Sequence, residues 1–222
     1  MDYSNIKWFE LKGNHVFNDD CMNGLRSMPD NCVDLAIVDP PYGIDVANMK
    51  MGIGKSKKCS KIQNRKWKTV DWDKEAPAKE YFNALFRVSK NQIIWGGNYF
   101  NLPPCKNYII WDKEIPAGLS FADCEMAWTS FNRAPKMFRH STYLDKANKF
   151  HPTQKPIKLY KWILTNYAKP GDKILDTHMG SQSSRIAAYN MGFDYWGWEI
   201  DTDYFNDGNK RFKQLTAQLQ LL

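Results

Sequence analysis

No apolar run in this sequence approaches the ~20 residues that a membrane-spanning helix needs. The opening stretch "MDYSNIKWFE" also lacks the basic-then-apolar layout of a secretory signal, so a cytoplasmic location is the expectation. Cysteine is sparse: Cys21, Cys32, Cys59, Cys105 and Cys124 are scattered, odd in number and form no C-x-x-C, which excludes a disulfide scaffold and points to reduced thiols. The four histidines (His15, His140, His151, His178) show no metal-ligand spacing, and no structural metal is expected. The dinucleotide fingerprint G-x-G-x-x-G is absent. The segment "GIGKS" resembles the end of a phosphate-binding loop, but the required first glycine falls on Met49 and no strand leads into it. Acidic residues are missing altogether between Asp45 and Asp71.

Into that last gap fall Lys50, Lys55, Lys57, Lys58, Lys61, Arg65, Lys66 and Lys68. The chain carries 31 basic and 24 acidic residues, a net charge of +7; without these eight, 23 basic residues (31 − 8) face 24 acidic ones. A basic loop at about 44–75 on a near-neutral body suits a polyanionic partner, although a solvated surface has the same composition. With 43% hydrophobic and 14% aromatic residues over 222 positions, the chain can bury a substantial core, and a single domain over 1–222 is the default.

The order of patterns is more informative. "HVFN" and "CMNGLRSM" read as strand and helix, and "VDLAIV" has the short apolar character of a buried parallel strand. "PAKEYFNALFRVSK", with Pro77 at its start and Tyr81, Leu85 and Val88 at helical spacing, predicts a helix. "NQIIWGG", "NYIIWD" and "CEMAWTS" are strand-like, whereas residues 131–150 show no clear period. The helix "KLYKWILTNYA" stops before Pro170-Gly171, and strand "KILDT", helix "SSRIAAYNMG", strand "FDYWGWEI" and a terminal helix follow. Strands alternating with helices predict an α/β fold with a mostly parallel sheet covered on both faces.

In such sheets ligands bind outside the carboxyl ends of the strands, and two ends here carry unusual chemistry. One reads Asp176-Thr177-His178-Met179-Gly180-Ser181, with Glu199 at the end of the next strand. One glycine lets backbone approach a nucleoside, and an acid about 20 residues on suits ribose hydroxyls; a tight turn followed by an ordinary strand-end glutamate is the plainer alternative. The other reads Asp39-Pro40-Pro41-Tyr42. An exocyclic amine on a base is a poor nucleophile, because its lone pair is delocalised into the ring. A site that accepts both amine hydrogens frees that pair. Asp39 and the carbonyl of Pro40 supply two acceptors, the prolines fix the direction of that carbonyl, and Tyr42 offers a face for a base flipped out of its helix.

The motif "DPPY" resembles the catalytic motif of the amino-methyltransferases that use S-adenosylmethionine. Together with "HPTQKP" at 151–156 and "ILDTHMGSQSS", with the catalytic motif early and the cofactor motif late, the chain looks like the β-class DNA adenine-N6 methyltransferases. The resemblance extends through "FNDDCMNGLRSMPDNCVDLAIVDPPYG", "IIWGGNYF" and "EIDTDYF", and is closest to small phage-type members. It implies a Rossmann-like, circularly permuted sheet of seven strands, S-adenosyl-L-methionine as cofactor, DNA as partner, a bacterial or phage restriction-modification setting, and a monomer or homodimer. By position, Asp39, Pro40 and Tyr42 would hold the target base, with Pro41 fixing the turn. Asp176, Gly180 and Ser181 would line the methionine end of the cofactor, with His178 presenting a flat ring in place of the usual Phe. Glu199 would take the ribose, and Asp20, rather than Asp19, the adenine. His151, Thr153, Gln154 and Lys155 would flank the cofactor, Lys155 near its carboxylate. The family's loop usually reads Asp-Pro-Phe-x-Gly-Ser-Gly-Thr, and this chain departs from it at Thr177, His178, Gln182 and Ser183; Gln182 replaces a glycine and bears on cofactor affinity. Target recognition would fall to the basic loop and to a segment at about 131–150, where Arg133, Lys136 and Arg139 stand among aromatics. Cytosine N4 or RNA adenine as the target, or a non-catalytic nucleic-acid-binding relative, are the other readings; the related cytosine enzymes usually carry Ser where this chain has Asp39.

Overall fold

The computed structural model describes residues 1–44, 75–116, 122–141 and 149–217. Among these, the elements in chain order are β1 (Asn14–Phe17), α1 (Cys21–Ser27), β2 (Val33–Val38), α2 (Lys79–Val88), β3 (Ser89–Trp95), β4 (Asn107–Asp112), β5 (Cys124–Thr129), β6 (Lys136–Arg139), α3 (Ile157–Tyr167), β7 (Lys173–Asp176), α4 (Ser183–Asn190), β8 (Asp194–Trp198) and α5 (Thr202–Ala217).

Strand β2 shows how the layers arise. Leu35 and Ile37 enter one apolar cluster, Ala36 and Val38 the other, because successive side chains of a strand point to opposite faces. Strand β3 divides Ile93 and Trp95 from Ile94 in the same way, and β8 divides Tyr195 from Trp196 and Trp198. Helices α1 and α2 cover one face through Leu25, Tyr81, Leu85 and Val88, and α3 and α4 cover the other through Leu159, Ile163, Ala187 and Ala188. Each fully buried Leu or Ile among these stabilises the fold by about 1.5–3 kcal/mol. Helix α2 begins two residues after Pro77, with Ala78 at its N-cap and no side-chain cap. Helix α1 is capped by Asp20, whose Oδ1 accepts from the Met22 amide at 2.8 Å. The N-terminal segment packs Tyr3 and Trp8 onto Phe17, Trp196 and Trp198. The Trp198 indole donates to the Tyr3 hydroxyl, which anchors the strand end that carries Glu199.

The eight strands form one sheet in the order β1-β8-β7-β2-β3-β5-β4-β6. The run from β1 to β3 is parallel, while β5 is antiparallel to both β3 and β4. The expected mostly parallel α/β sheet with both faces covered is therefore present. It has eight strands rather than seven; β6 pairs parallel with β4 at the edge and lies in the segment whose sequence shows no period. The chain leaves neighbouring β7 and β2 in opposite directions, toward β8 and toward β3. This is a topological switch point, with a crevice at the carboxyl ends of those two strands.

Candidate active site

Both unusual loops leave the sheet at this crevice. Asp39 follows β2 directly, and the loop 177–182 follows β7. A cleft of about 420 Å³ opens here, lined among others by Asp20, Pro41, Tyr81 and His178. The Tyr81 hydroxyl and Thr177 Oγ1 lie 2.7 Å apart, tying α2 to the β7 loop.

On the β7 side, backbone geometry does most of the positioning. Gly180 adopts φ +47°, and a Cβ there would sit 3.2 Å from the His151 ring; a side chain at this position would be both strained and crowded. Its amide donates to Glu199 Oε2 at 2.8 Å, and the Asp201 amide donates to Glu199 Oε1 at 2.9 Å. Asp176 accepts from the Ser184 hydroxyl at 2.5 Å and from the His178 amide at 3.0 Å. Both carboxylates are buried, and burial raises each to a pKa of about 7 despite those hydrogen bonds. Among the described residues neither has a cationic partner within ion-pair distance. Two buried acids without a counter-charge suit a ligand that brings positive charge and hydroxyl donors. Burial also lowers His151 to about 3 and His178 to about 4, so both rings are neutral near pH 7. His151 packs edge-on against Tyr204, with ring centroids 4.3 Å apart, and Thr153 Oγ1 lies 3.2 Å from its Nδ1. Gln154 Oε1 accepts from the Phe150 amide, and the buried Ser181 hydroxyl lies 3.1 Å from that of Ser183. Asp19 is occupied by Tyr3 and Asn23, whereas Asp20 lines the cleft.

Gln182 occupies the left-handed conformation that glycine favours, with φ 59°. Its side chain is fully buried and turns toward α5. There it donates to the Phe205 carbonyl at 3.1 Å, and its Oε1 accepts from Arg185 Nη1 at 2.7 Å. The residue thus braces α4 against α5, and its amide group is turned to that contact.

On the β2 side, the Tyr42 hydroxyl donates to Asp39 Oδ1 at 2.7 Å. The Tyr42 ring stacks on Tyr99, with centroids 4.9 Å apart and planes at 14°. Gly96, at φ +67°, makes room for that ring, because a Cβ there would overlap the Tyr42 carbons. Lys155, expected near the carboxylate of the cofactor, reaches Asp39 and Glu125. Its Nζ lies 2.5 Å from Asp39 Oδ2 and 3.1 Å from Glu125 Oε2. Glu125 and Lys113 join the site without any signal in the sequence, and Tyr99 joins it from the stretch "IIWGGNYF". Glu125 sits in an ordinary strand pattern, and only the antiparallel placement of β5 carries it to Asp39.

The nucleic-acid candidates separate. Lys50, Lys55, Lys57, Lys58, Lys61, Arg65, Lys66 and Lys68 lie outside the described residues. Arg133 is engaged within the fold: its guanidinium lies 3.7 Å from the Tyr167 ring centroid and donates to the Asn166 carbonyl at the end of α3. Arg139 pairs with Asp112 at 3.2 Å, and Lys136 is exposed on the edge strand β6. Among the described residues no cluster of His, Cys, Asp and Glu could hold a metal ion, and no helix is long and apolar enough to cross a membrane.

Comparison with known proteins places this geometry in a family. The Type II methyltransferase M.BglII, from Bacillus subtilis, is 22% identical over 86% of this chain, and the match spans 66% of that relative's length. Among solved structures, M1.HpyAVI in its SAM complex aligns at TM-score 0.58 and 20% identity, over 89% of this chain and 98% of that one. PvuII DNA methyltransferase, described as cytosine-N4-specific, aligns at TM-score 0.57 and 15% identity, over 93% of this chain and 91% of that one. At these identities the likeness is one of fold, a Rossmann-like methyltransferase sheet. Residues 94–210 match the family described as DNA methylase. That match covers more than half of the chain and takes in Glu125, Lys155, Asp176, Gly180 and Glu199, and the chain belongs to the DNA methylase family.

Proposed function

We propose that this protein transfers a methyl group from S-adenosylmethionine to the N6 amine of adenine in DNA, with the target base turned out of the duplex. The observation that carries the reading is the adjacency of two sites at the carboxyl ends of β2 and β7: a carboxylate acceptor beside an aromatic face, and a pocket of buried acids around Gly180. Methyl transfer with this cofactor to DNA is the chemistry of the DNA methylase family; the choice of adenine N6 rests on Asp39.

The residues present fit the cofactor. Glu199, held by two backbone amides, retains lone pairs for ribose hydroxyls, and Asp176 supplies negative charge near a cation. Asp20 and the neutral His178 ring line the cleft and would flank the adenine of the cofactor. When bound, the cofactor supplies an electrophilic methyl on a positively charged sulfur. Asp39 and the Pro40 carbonyl accept the two amine hydrogens of the target, which directs the nitrogen lone pair toward that methyl. Held there, the cofactor would supply the methyl to that nitrogen and would keep the C–S bonding pair on its sulfur. The surplus proton of the methylated amine then passes to the Asp39 carboxylate. Positioning of this kind is the main contribution a protein makes to such a displacement.

Glu199→Ala removes a charged acceptor from two hydroxyls, a loss of roughly 1.5–3 kcal/mol. We expect S-adenosylmethionine affinity to fall roughly 10- to 150-fold by calorimetry; unchanged affinity in a folded variant contradicts the ribose role. The basic residues between 50 and 68 are assigned to phosphates on charge alone. Neutralising them is expected to reduce the slope of log affinity against log salt by about 0.9 for each phosphate that then keeps its counterion, and an unaltered slope would make the segment a solubilising surface. The function itself is tested by transfer of tritiated methyl from S-adenosylmethionine to unmethylated DNA and, separately, to RNA. Incorporation into DNA alone supports the proposal. Incorporation into RNA favours the RNA reading, and DNA binding without incorporation or cofactor binding identifies a non-catalytic relative.

A further inference from the structure

Four charged side chains from four parts of the chain alternate in sign: Asp39 after β2, Lys155 before α3, Glu125 on β5 and Lys113 after β4. The Lys155 ammonium bridges Asp39 Oδ2 at 2.5 Å and Glu125 Oε2 at 3.1 Å, and Glu125 Oε1 lies 3.4 Å from Lys113 Nζ. The Lys155 side chain is 2% exposed, and its Nζ also lies 5.1 Å from the Trp95 ring centroid. A buried ammonium needs a partner at all times. Lys155 has two, and one of them is the acceptor that a target amine must use.

We propose that Lys155 and Glu125 are positioning residues for Asp39: Lys155 keeps Asp39 a carboxylate, and Glu125 holds the ammonium as an amine hydrogen takes its place on Asp39 Oδ2. The inference rests on the proposed role of Asp39 and adds two residues to it. Without Glu125, the lysine would release Asp39 only by losing its remaining buried partner. With Glu125 in place, the ammonium moves between two anions and stays paired. The antiparallel strands β5 and β4 thereby supply charges to a site otherwise built on the parallel strands.

The charged and titratable groups facing Asp39 support this reading. Burial pushes the Asp39 carboxyl up, Lys155 pulls it down, and Glu125 pushes it up. Tyr42, Tyr81 and Tyr160 are held by burial well above the usual phenol range and stay uncharged. Asp176 is the other nearby carboxylate, and Lys155 pulls it down as well, so the displacement in Glu125→Gln, which acts on Asp39, is the cleaner report on Asp39. Because the active form needs Asp39 ionised, loss of the positive neighbour moves the acid limb of the pH–rate profile upward, and loss of the negative neighbour moves it downward.

The test is the pH dependence of the single-turnover methylation rate for the wild type, Lys155→Gln, Lys155→Arg and Glu125→Gln, with S-adenosylmethionine affinity measured alongside. We expect Lys155→Gln to raise the acid limb by about one unit or more, with a loss of up to about tenfold per unit at pH values below the displaced limb and recovery at higher pH. Lys155→Arg should return the limb close to its wild-type position, and Glu125→Gln should lower it. If Lys155→Gln does not fold, the direction of the Glu125→Gln displacement decides. Uniform losses at all pH values, with the limbs unmoved, overturn the inference and leave the proposed function standing. No methyl transfer by the wild type overturns both.

Discussion

Asp39→Ala is expected to reduce methyl transfer by roughly 10²–10³-fold or more, the usual cost of removing a preorganised group from the reacting atoms. S-adenosylmethionine affinity should stay within a few-fold of wild type. The separation follows from the layout: Asp39 follows β2, while in the cofactor pocket Asp176 ends β7, Gly180 lies on the loop after it and Glu199 follows β8. The substitution also takes one partner from a buried ammonium, but Lys155 retains Glu125 at 3.1 Å, so the variant should fold. Circular dichroism and calorimetry check the fold and the cofactor site, and single-turnover kinetics check the chemistry. Full activity in Asp39→Ala would remove the acceptor role on which the choice of adenine rests.

Tyr42 gives the second large effect, and two substitutions separate its two contributions. Tyr42→Ala removes the ring on which a displaced base would stack, worth roughly 1–3 kcal/mol, or roughly 5- to 150-fold in rate. Tyr42→Phe keeps the face and removes only the hydroxyl that donates to Asp39 Oδ1 at 2.7 Å. Its loss should be smaller, since the Asp39 carboxylate retains Lys155. A Phe variant as impaired as the Ala variant would show that the hydroxyl, and not the face, carries the role. The Tyr42 ring lies against Tyr99, which is 48% exposed. A base seated on the Tyr99 side of the ring must therefore displace that neighbour.

The parts of the fold readable from the sequence are those whose signal is local. Strand β2 is a six-residue apolar run, and its end is marked by two prolines that cannot continue a ladder. The β7 loop is marked by one glycine between a strand and a helix. Strand β6 is not readable, because Lys136–Arg139 is an edge strand with three of its four residues exposed and no buried face to impose a period. Lys155 and Asp39 are 116 residues apart, and their pairing depends on the placement of the segment before α3 against the ends of β2 and β5. Glu125 depends on sheet order, since β5 pairs antiparallel with β3 and no local pattern announces that. Gln182 reads in the sequence as a missing glycine of the cofactor loop. Its backbone does adopt the glycine-like conformation, but the direction of its side chain is set by Arg185 and Phe205, which the loop sequence alone does not reveal.

The central claim concerns which atom is methylated, and the base composition of the product answers it. DNA treated with the protein and S-adenosylmethionine, hydrolysed to nucleosides and analysed by mass spectrometry, should contain N6-methyldeoxyadenosine that is lost in Asp39→Ala. N4-methyldeoxycytidine as the product, or N6-methyldeoxyadenosine undiminished in Asp39→Ala, would contradict it.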